Sequence, residues 1–299
     1  MFKNLQLYRL PAPWPVGPNV LEQAIAAQAF APASSNELVR QGWSAPREAD
    51  GGGLVHAVAG QFLLQLATEK KLLPSTVINQ VAKARAAEME EQQGFPPGKK
   101  AMKELKERVA DELLPRAFPV RSNTWVWIDP VNGWRAVDAA SPSRADDVVK
   151  LLLKAVDRMP LESLRVQKSP VAVMTGWLEA DEAPVAFTID QDTELRATGE
   201  SRAAVRYVKH SLDPADVGRH IANGKQCTRL AMTWEGRISF VLTESLAIKG
   251  IKALDVLKEG AHAAANDLER FDNDFVLMTG ELAKMLADLV EALGGEARA

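Results

Sequence analysis

Asp190, Asp192 and Glu194 occupy alternate positions in "DQDTELR". Three carboxylates so spaced could gather round a divalent cation and support nuclease-type hydrolysis. The same residues also read as a hairpin tip between "VAFTI" and "ELRAT", where acidic side chains are ordinary. The four histidines, His56, His210, His220 and His262, show no metal-ligand spacing. The single cysteine, Cys227, excludes an intramolecular disulfide and lacks the histidine partner that a catalytic thiol requires. "GFPPGKK" fails as a phosphate-binding P-loop, because only three residues separate Gly94 from Gly98 and no Ser or Thr follows the lysines. "ADGGGLVHAV" lacks dinucleotide-binding spacing and reads as a flexible turn. The preferred expectation is therefore no catalytic residue, no bound metal and no cofactor. A metal-dependent nuclease or DNA-processing enzyme built on the three carboxylates is the alternative.

A different chemistry is suggested by "GFPPGKKAMKELKERVADELLPRAFPVR". Lys99, Lys100, Lys103 and Lys106 open a predicted helix over 98–114, the end where the backbone dipole is already positive. At 100° per residue, Met102, Leu105, Val109 and Leu113 form an apolar stripe. Lys99, Lys103 and Lys106 lie together beside it, and Glu104, Glu107 and Asp111 occupy the next strip. One reading is a solvated helix in which Lys100–Glu104, Lys103–Glu107 and Glu104–Arg108 contribute about 0.2–0.5 kcal/mol each. The other is a phosphate-facing surface, where a polyanion meets the lysines and the free N–H groups of the first turn together.

Charge distribution limits where a polyanion could bind. The 299 residues carry a net charge of −3, yet residues 70–121 hold 11 Lys and Arg against 7 Asp and Glu. Any nucleic-acid affinity must therefore come from a local patch. No run of about 18 apolar residues is present, and the proline-broken start does not resemble a signal peptide, so a soluble cytoplasmic protein is expected.

The elements that would position these groups are partly legible. "MFKNLQLYRL" reads as an opening strand, and Asn19 is placed to cap a helix over 20–31 with Leu21, Ile25 and Ala29 on one face. Residues 43–64 carry turn residues followed by β-type runs. Ser75 is expected to cap a helix that ends at Gly94 and the following prolines. Two strands should flank Asn132-Gly133, and Ser141 or Ser143 should start a helix to about Met159. In a second hairpin, Leu230, Met232 and Trp234 should match Ile238, Phe240 and Leu242, leaving Lys225, Cys227 and Arg229 on the opposite face. Met278, Leu282, Met285, Leu286, Leu289 and Leu293 form the stripe of a closing helix that Gly294-Gly295 ends. Mixed strands and helices without strict alternation predict an α+β fold. The expected lobes are residues 1–160 and 161–299.

Four blocks carry a family likeness: "MFKNLQLYRL", "PPGKKAMKELKERVADELLPRAF", "TWVWIDPVNGW" and "FDNDFVLMTGELAKMLADLVEALGGEA". They resemble the bacterial recombination-associated RdgC family from the first residue to the last. The resemblance implies a non-enzymatic protein of the cytoplasm and nucleoid that binds DNA with little sequence preference. It further implies an elongated, curved subunit and a ring-shaped homodimer that encircles duplex DNA, with preference between double and single strands left open. The family restrains the RecA recombinase, plausibly by occupying DNA. In "LLPRAF", Phe118 matches the aromatic of one dimer contact, and Lys209 and His210 of "VKHSLDP" match the opposite contact. The expected DNA-facing residues are Lys99, Lys100, Lys103, Lys106, Arg116 and Arg121, joined by Lys225 and Arg229. Without the resemblance, Phe118 would be taken for a core residue between a helix and Pro119, and Lys225 and Arg229 for the wet side of a sheet.

Overall fold

The computed structural model describes residues 1–47, 52–160, 162–199, 202–259 and 266–297. His262 and residues 49–51 of the glycine-rich turn lie outside the described residues. In chain order the elements begin with β1 (Asn4–Arg9), α1 (Pro18–Ala26), β2 (Val39–Ser44), β3 (Val55–Val58) and β4 (Gln61–Lys71). A helical hairpin follows, α2 (Ser75–Gln93) and α3 (Lys99–Leu113), then β5 (Pro119–Asp129), β6 (Trp134–Asp138), α4 (Pro142–Ala155) and β7 (Glu162–Ser163). The remainder comprises α5 (Pro170–Ala180), β8 (Phe187–Ala197), β9 (Ala204–Tyr207), α6 (Pro214–Ala222) and β10 (Lys225–Trp234). It closes with β11 (Ile238–Thr243), β12 (Ile248–Ala253), α7 (Asp255–Glu259) and α8 (Asp267–Ala292).

Among the described residues the strands form one 12-stranded antiparallel sheet, ordered β2-β4-β5-β6-β1-β12-β11-β10-β8-β9, with β3 on β4 and β7 on β1. The opening strand is the link: β1 pairs β6 on one side and β12 on the other, so the sheet crosses residue 160 without a break. Alternation within β4 and β5 explains why the middle of the sheet is apolar on both faces. Leu63 and Trp127 point into a core shared with Phe275, Met278 and Leu282 of α8. Their neighbours Leu64, Leu66, Val126 and Ile128 join a second core with Leu21 and Ile25 of α1 and Val148 and Leu152 of α4. The α+β class is thus observed.

Several local expectations match. β10 and β11 pair Leu230 with Leu242, Met232 with Phe240 and Trp234 with Ile238. All six apolar positions of the closing helix are buried, and Gly294 and Gly295 terminate it with φ of 88° and 92°. Gly133 closes the β5–β6 turn at φ 73°, where a Cβ would also meet the Leu10 carbonyl at 2.6 Å. That turn spans four residues, because Asp129 pairs directly with Trp134.

Other expectations are corrected. The first helix ends at Ala26, with Gly17 at its cap position and Pro18 opening the first turn, so Asn19 is not the cap and Ala29 is exposed. Pro74, not Ser75, precedes the first turn of α2. "DQDTELR" is no hairpin tip: it lies within β8, Phe187–Ala197, which pairs with β10 on either side of a register shift at 190–192 and with β9 from Thr193 to Arg196. Cys227 does not share a wet face with Lys225 and Arg229. A register shift between Cys227 and Arg229 turns the cysteine into the same core as Leu230.

Candidate nucleic-acid interface and subunit contacts

The basic helix belongs to a hairpin with a small core of its own. Ala82 and Ala86 of α2 meet Leu105 and Val109 of α3, with Met102 and Leu113 packed beside them, as the apolar stripe required. Arg85 pairs with Glu112 at 2.8 Å and ties the two helices together. Gly94, at φ 80°, ends α2 and reverses the chain. Lys99, Lys100, Lys103 and Lys106 are all exposed. Lys103 lies 3.8 Å from Glu107, and neither expected pair involving Glu104 forms an ion pair among the described residues. Lys99, Lys100 and Lys106 therefore face solvent, where they can meet an external anion, and Lys103 shares its exposed charge with Glu107.

At the root of this hairpin, Lys71 is turned inward and donates through Nζ to the carbonyls of Ser35 and Leu114. Arg116 follows in an exposed 3-10 turn, Leu114–Arg116. Arg121, on β5, stacks its guanidinium 4.3 Å from the centre of the Phe30 ring. Lys225 and Arg229 stand apart from these groups. They are half-buried on β10, five strand steps from β5, which is about 24 Å across the sheet. The structure therefore splits the expected basic set into a hairpin group and a distant β10 pair.

Phe118 is 81% exposed, so it is not a core residue. Its carbonyl accepts the Leu72 N–H at 2.8 Å, continuing the β4–β5 ladder by one step. Val39, Lys70 and Val120 pair in one row, and Leu72 and Phe118 lie two residues further on the same face. Val39, Leu72 and Val120 are exposed with Phe118, forming an apolar patch whose members are scattered along the chain. Only the strand register brings these four together.

Lys209 and His210 lie just beyond β9, at the other end of the sheet, and both are exposed. Lys209 adopts φ 50°, and its N–H donates to Asp192 Oδ1 at 2.7 Å. His210 Nδ1 lies 2.8 Å from the Ser211 carbonyl. From β5, which Phe118 precedes, to β9 is seven strand steps, about 34 Å along the sheet. The two expected contacts are thus separated by most of the strand order, with β9 at one edge and β5 third from the other.

The acidic trio is dispersed by its partners. Asp190 accepts from Thr233 Oγ1 at 2.8 Å, and Asp192 supports Lys209. Glu194 is buried between Arg196 and Arg206, each at 2.5 Å, with Thr228 Oγ1 at 3.1 Å. Burial would raise its carboxyl, but hydrogen bonds from Arg206, Thr228 and Arg196 outweigh that and hold it below the usual range. Among the described residues no three His, Cys, Asp or Glu side chains stand together as a metal-holding group. Burial pushes the Cys227 thiol up to about 12, leaving no thiolate nucleophile at neutral pH. No helix among the described residues is long and apolar enough to cross a membrane.

Comparison with known proteins extends over nearly the whole chain. The family model described as "Putative exonuclease, RdgC" matches residues 1–296. A protein of Janthinobacterium sp. (strain Marseille) named "Recombination-associated protein RdgC" is 66% identical over 296 residues, covering 99% of this chain and 98% of the relative. Proteins of the same name from Herminiimonas arsenicoxydans and Bordetella pertussis are 64% and 61% identical, over 99% of this chain and 98% and 99% of their own lengths. Likeness of this extent, at every level from opening strand to closing helix, makes the chain a member of the RdgC family of recombination-associated proteins.

Proposed function

We propose that two copies of this chain close into a ring around duplex DNA, bind it without sequence preference and thereby restrain RecA-promoted recombination in the nucleoid. One observation carries the reading: an exposed apolar patch at Phe118 and an exposed polar turn at Lys209 are seven strand steps apart in one continuous sheet. A subunit with a self-complementary surface at each end can meet its copy twice, which closes a two-fold ring. An exposed cluster of Val39, Leu72, Phe118 and Val120 has no role in the monomer core and suits the centre of such a contact. The free lysines of α3 supply charge for phosphates, and a ring that occupies DNA excludes a recombinase filament.

Sedimentation beside retention on nicked circular and linear DNA tests the proposal. A dimer retained on circles but lost from linear ends in raised salt is the expected result. A monomer, or equal loss from both forms, would reject encirclement. The family model's description favours a second reading, exonuclease activity, and incubating end-labelled DNA with and without magnesium decides it. The proposal expects the label to stay in full-length DNA.

A further inference from the structure

We propose that Phe95 is a base-stacking residue, and that the tip of the α2–α3 hairpin engages unpaired bases of single-stranded DNA. This inference rests on the DNA-binding reading above and assigns a residue that tells unpaired from paired DNA within it. Phe95 is 62% exposed and sits in the link between Gln93 and Lys99. The 19 residues of α2 carry it about 28 Å from Pro74 and the sheet. The hairpin's small core consists of other residues, so the ring contributes nothing to holding α2 against α3. Pro96 and Pro97 restrict the backbone beside it, and Gly94 sets the reversal in front of it. An aromatic side chain is thus displayed on a stiff tip, away from every core.

Its surroundings identify what it meets. Lys99 and Lys100 follow within five residues, Lys103 is one turn further on, and the first turn of α3 contains no acidic side chain. An exposed ring followed by exposed lysines is the combination that binds single strands: the lysines track the backbone and the ring stacks on a base face, whichever base it is. An intact duplex offers the lysines the same phosphates but keeps its base faces stacked. Phe95 should therefore distinguish unpaired from paired DNA, and the lysines should not. A hydrophobic protein partner fits less well, because the ring is a single exposed aromatic outside the hairpin's apolar cluster rather than part of an apolar patch.

The test compares the unaltered protein, Phe95→Ala, Phe95→Trp and the triple variant K99A/K103A/K106A on a 2-aminopurine-labelled single strand and on the matching duplex. The unaltered protein should change 2-aminopurine emission on the single strand. Phe95→Ala should abolish that change and weaken single-strand binding about 5- to 100-fold. Its duplex affinity should shift by less than about twofold and its salt slope should stay the same. Phe95→Trp should restore stacking, and the triple variant should weaken both DNA forms and flatten the slope. Unchanged single-strand affinity and emission in Phe95→Ala would overturn the inference while leaving DNA binding intact. So would a change in sedimentation, which would assign the ring to a contact between copies. If the unaltered protein bound neither DNA form, the DNA-binding reading itself would fail and this inference with it.

Discussion

Asp192 holds the backbone of Lys209: its Oδ1 accepts the Lys209 N–H at 2.7 Å, and Lys209 sits at φ 50°, a conformation unfavourable for a side chain that is not glycine. One of the three carboxylates of "DQDTELR" thus supports an exposed turn. Removing it should leave the core intact and loosen the turn. Asp192→Ala is expected to lower the melting temperature by only a few degrees, since the bond is exposed and worth about 1 kcal/mol. Retention on circular DNA in raised salt should fall more than stability does. A large loss of melting temperature with normal retention would assign Asp192 to folding alone.

Phe118→Ser separates an interface residue from a core residue. Because the ring is 81% exposed in the subunit, monomer stability should change by less than about 0.5 kcal/mol. Burial of the ring between subunits would contribute roughly 2 kcal/mol per copy, so the Phe118 end of the ring should open. The variant should still bind linear DNA and should lose its grip on closed circles as salt rises. Equal retention by variant and parent would remove Phe118 from the interface.

Lys99→Ala, Lys103→Ala and Lys106→Ala together should weaken binding on unrelated duplexes alike. The plot of log K against log salt should flatten by about 0.9 for each phosphate that is no longer neutralised. Folding should survive, because alanine favours helix and the apolar stripe of α3 is untouched. An unchanged slope would make these lysines a solvated face.

Glu194→Gln should destabilise the protein by about 1–3 kcal/mol near neutral pH through weakened charged hydrogen bonds to Arg196 and Arg206. The folded carboxyl titrates below its ordinary value of 4.5, so its contribution is present above that pH. It is lost as pH falls through the lowered folded value. Thermal melts from neutral to acid pH should converge for parent and variant at the acid end. Parallel curves would show that the ion pair contributes nothing.

Features with a short repeat were legible in the sequence. The stripe Met102–Leu105–Val109–Leu113, the facing rows of β10 and β11, and the buried face of α8 all follow from periods of 3.6 or 2 along adjacent residues. The lysines beside that stripe were legible for the same reason. Phe118 reads from its neighbours alone as a core residue, because an aromatic between a helix and a proline is ordinarily buried, and the structure exposes it. The patch it forms with Leu72 and Val39 exists only through the pairing of β4 with its neighbours. Cys227 was misplaced because one bulge against β8 shifts every later side chain to the other face, and nothing near residue 227 announces a bulge against residue 195. Asp190, Asp192 and Glu194 were misread as a turn because their partners, Thr233, Lys209, Arg206 and Thr228, come from β10, β9 and the turn after it. Local periodicity depends on neighbours in the chain, and so the composition of each face is written there. Which face meets solvent, and how far apart two contacts stand, depends on strand pairings between distant residues, and those exist only once the sheet has formed.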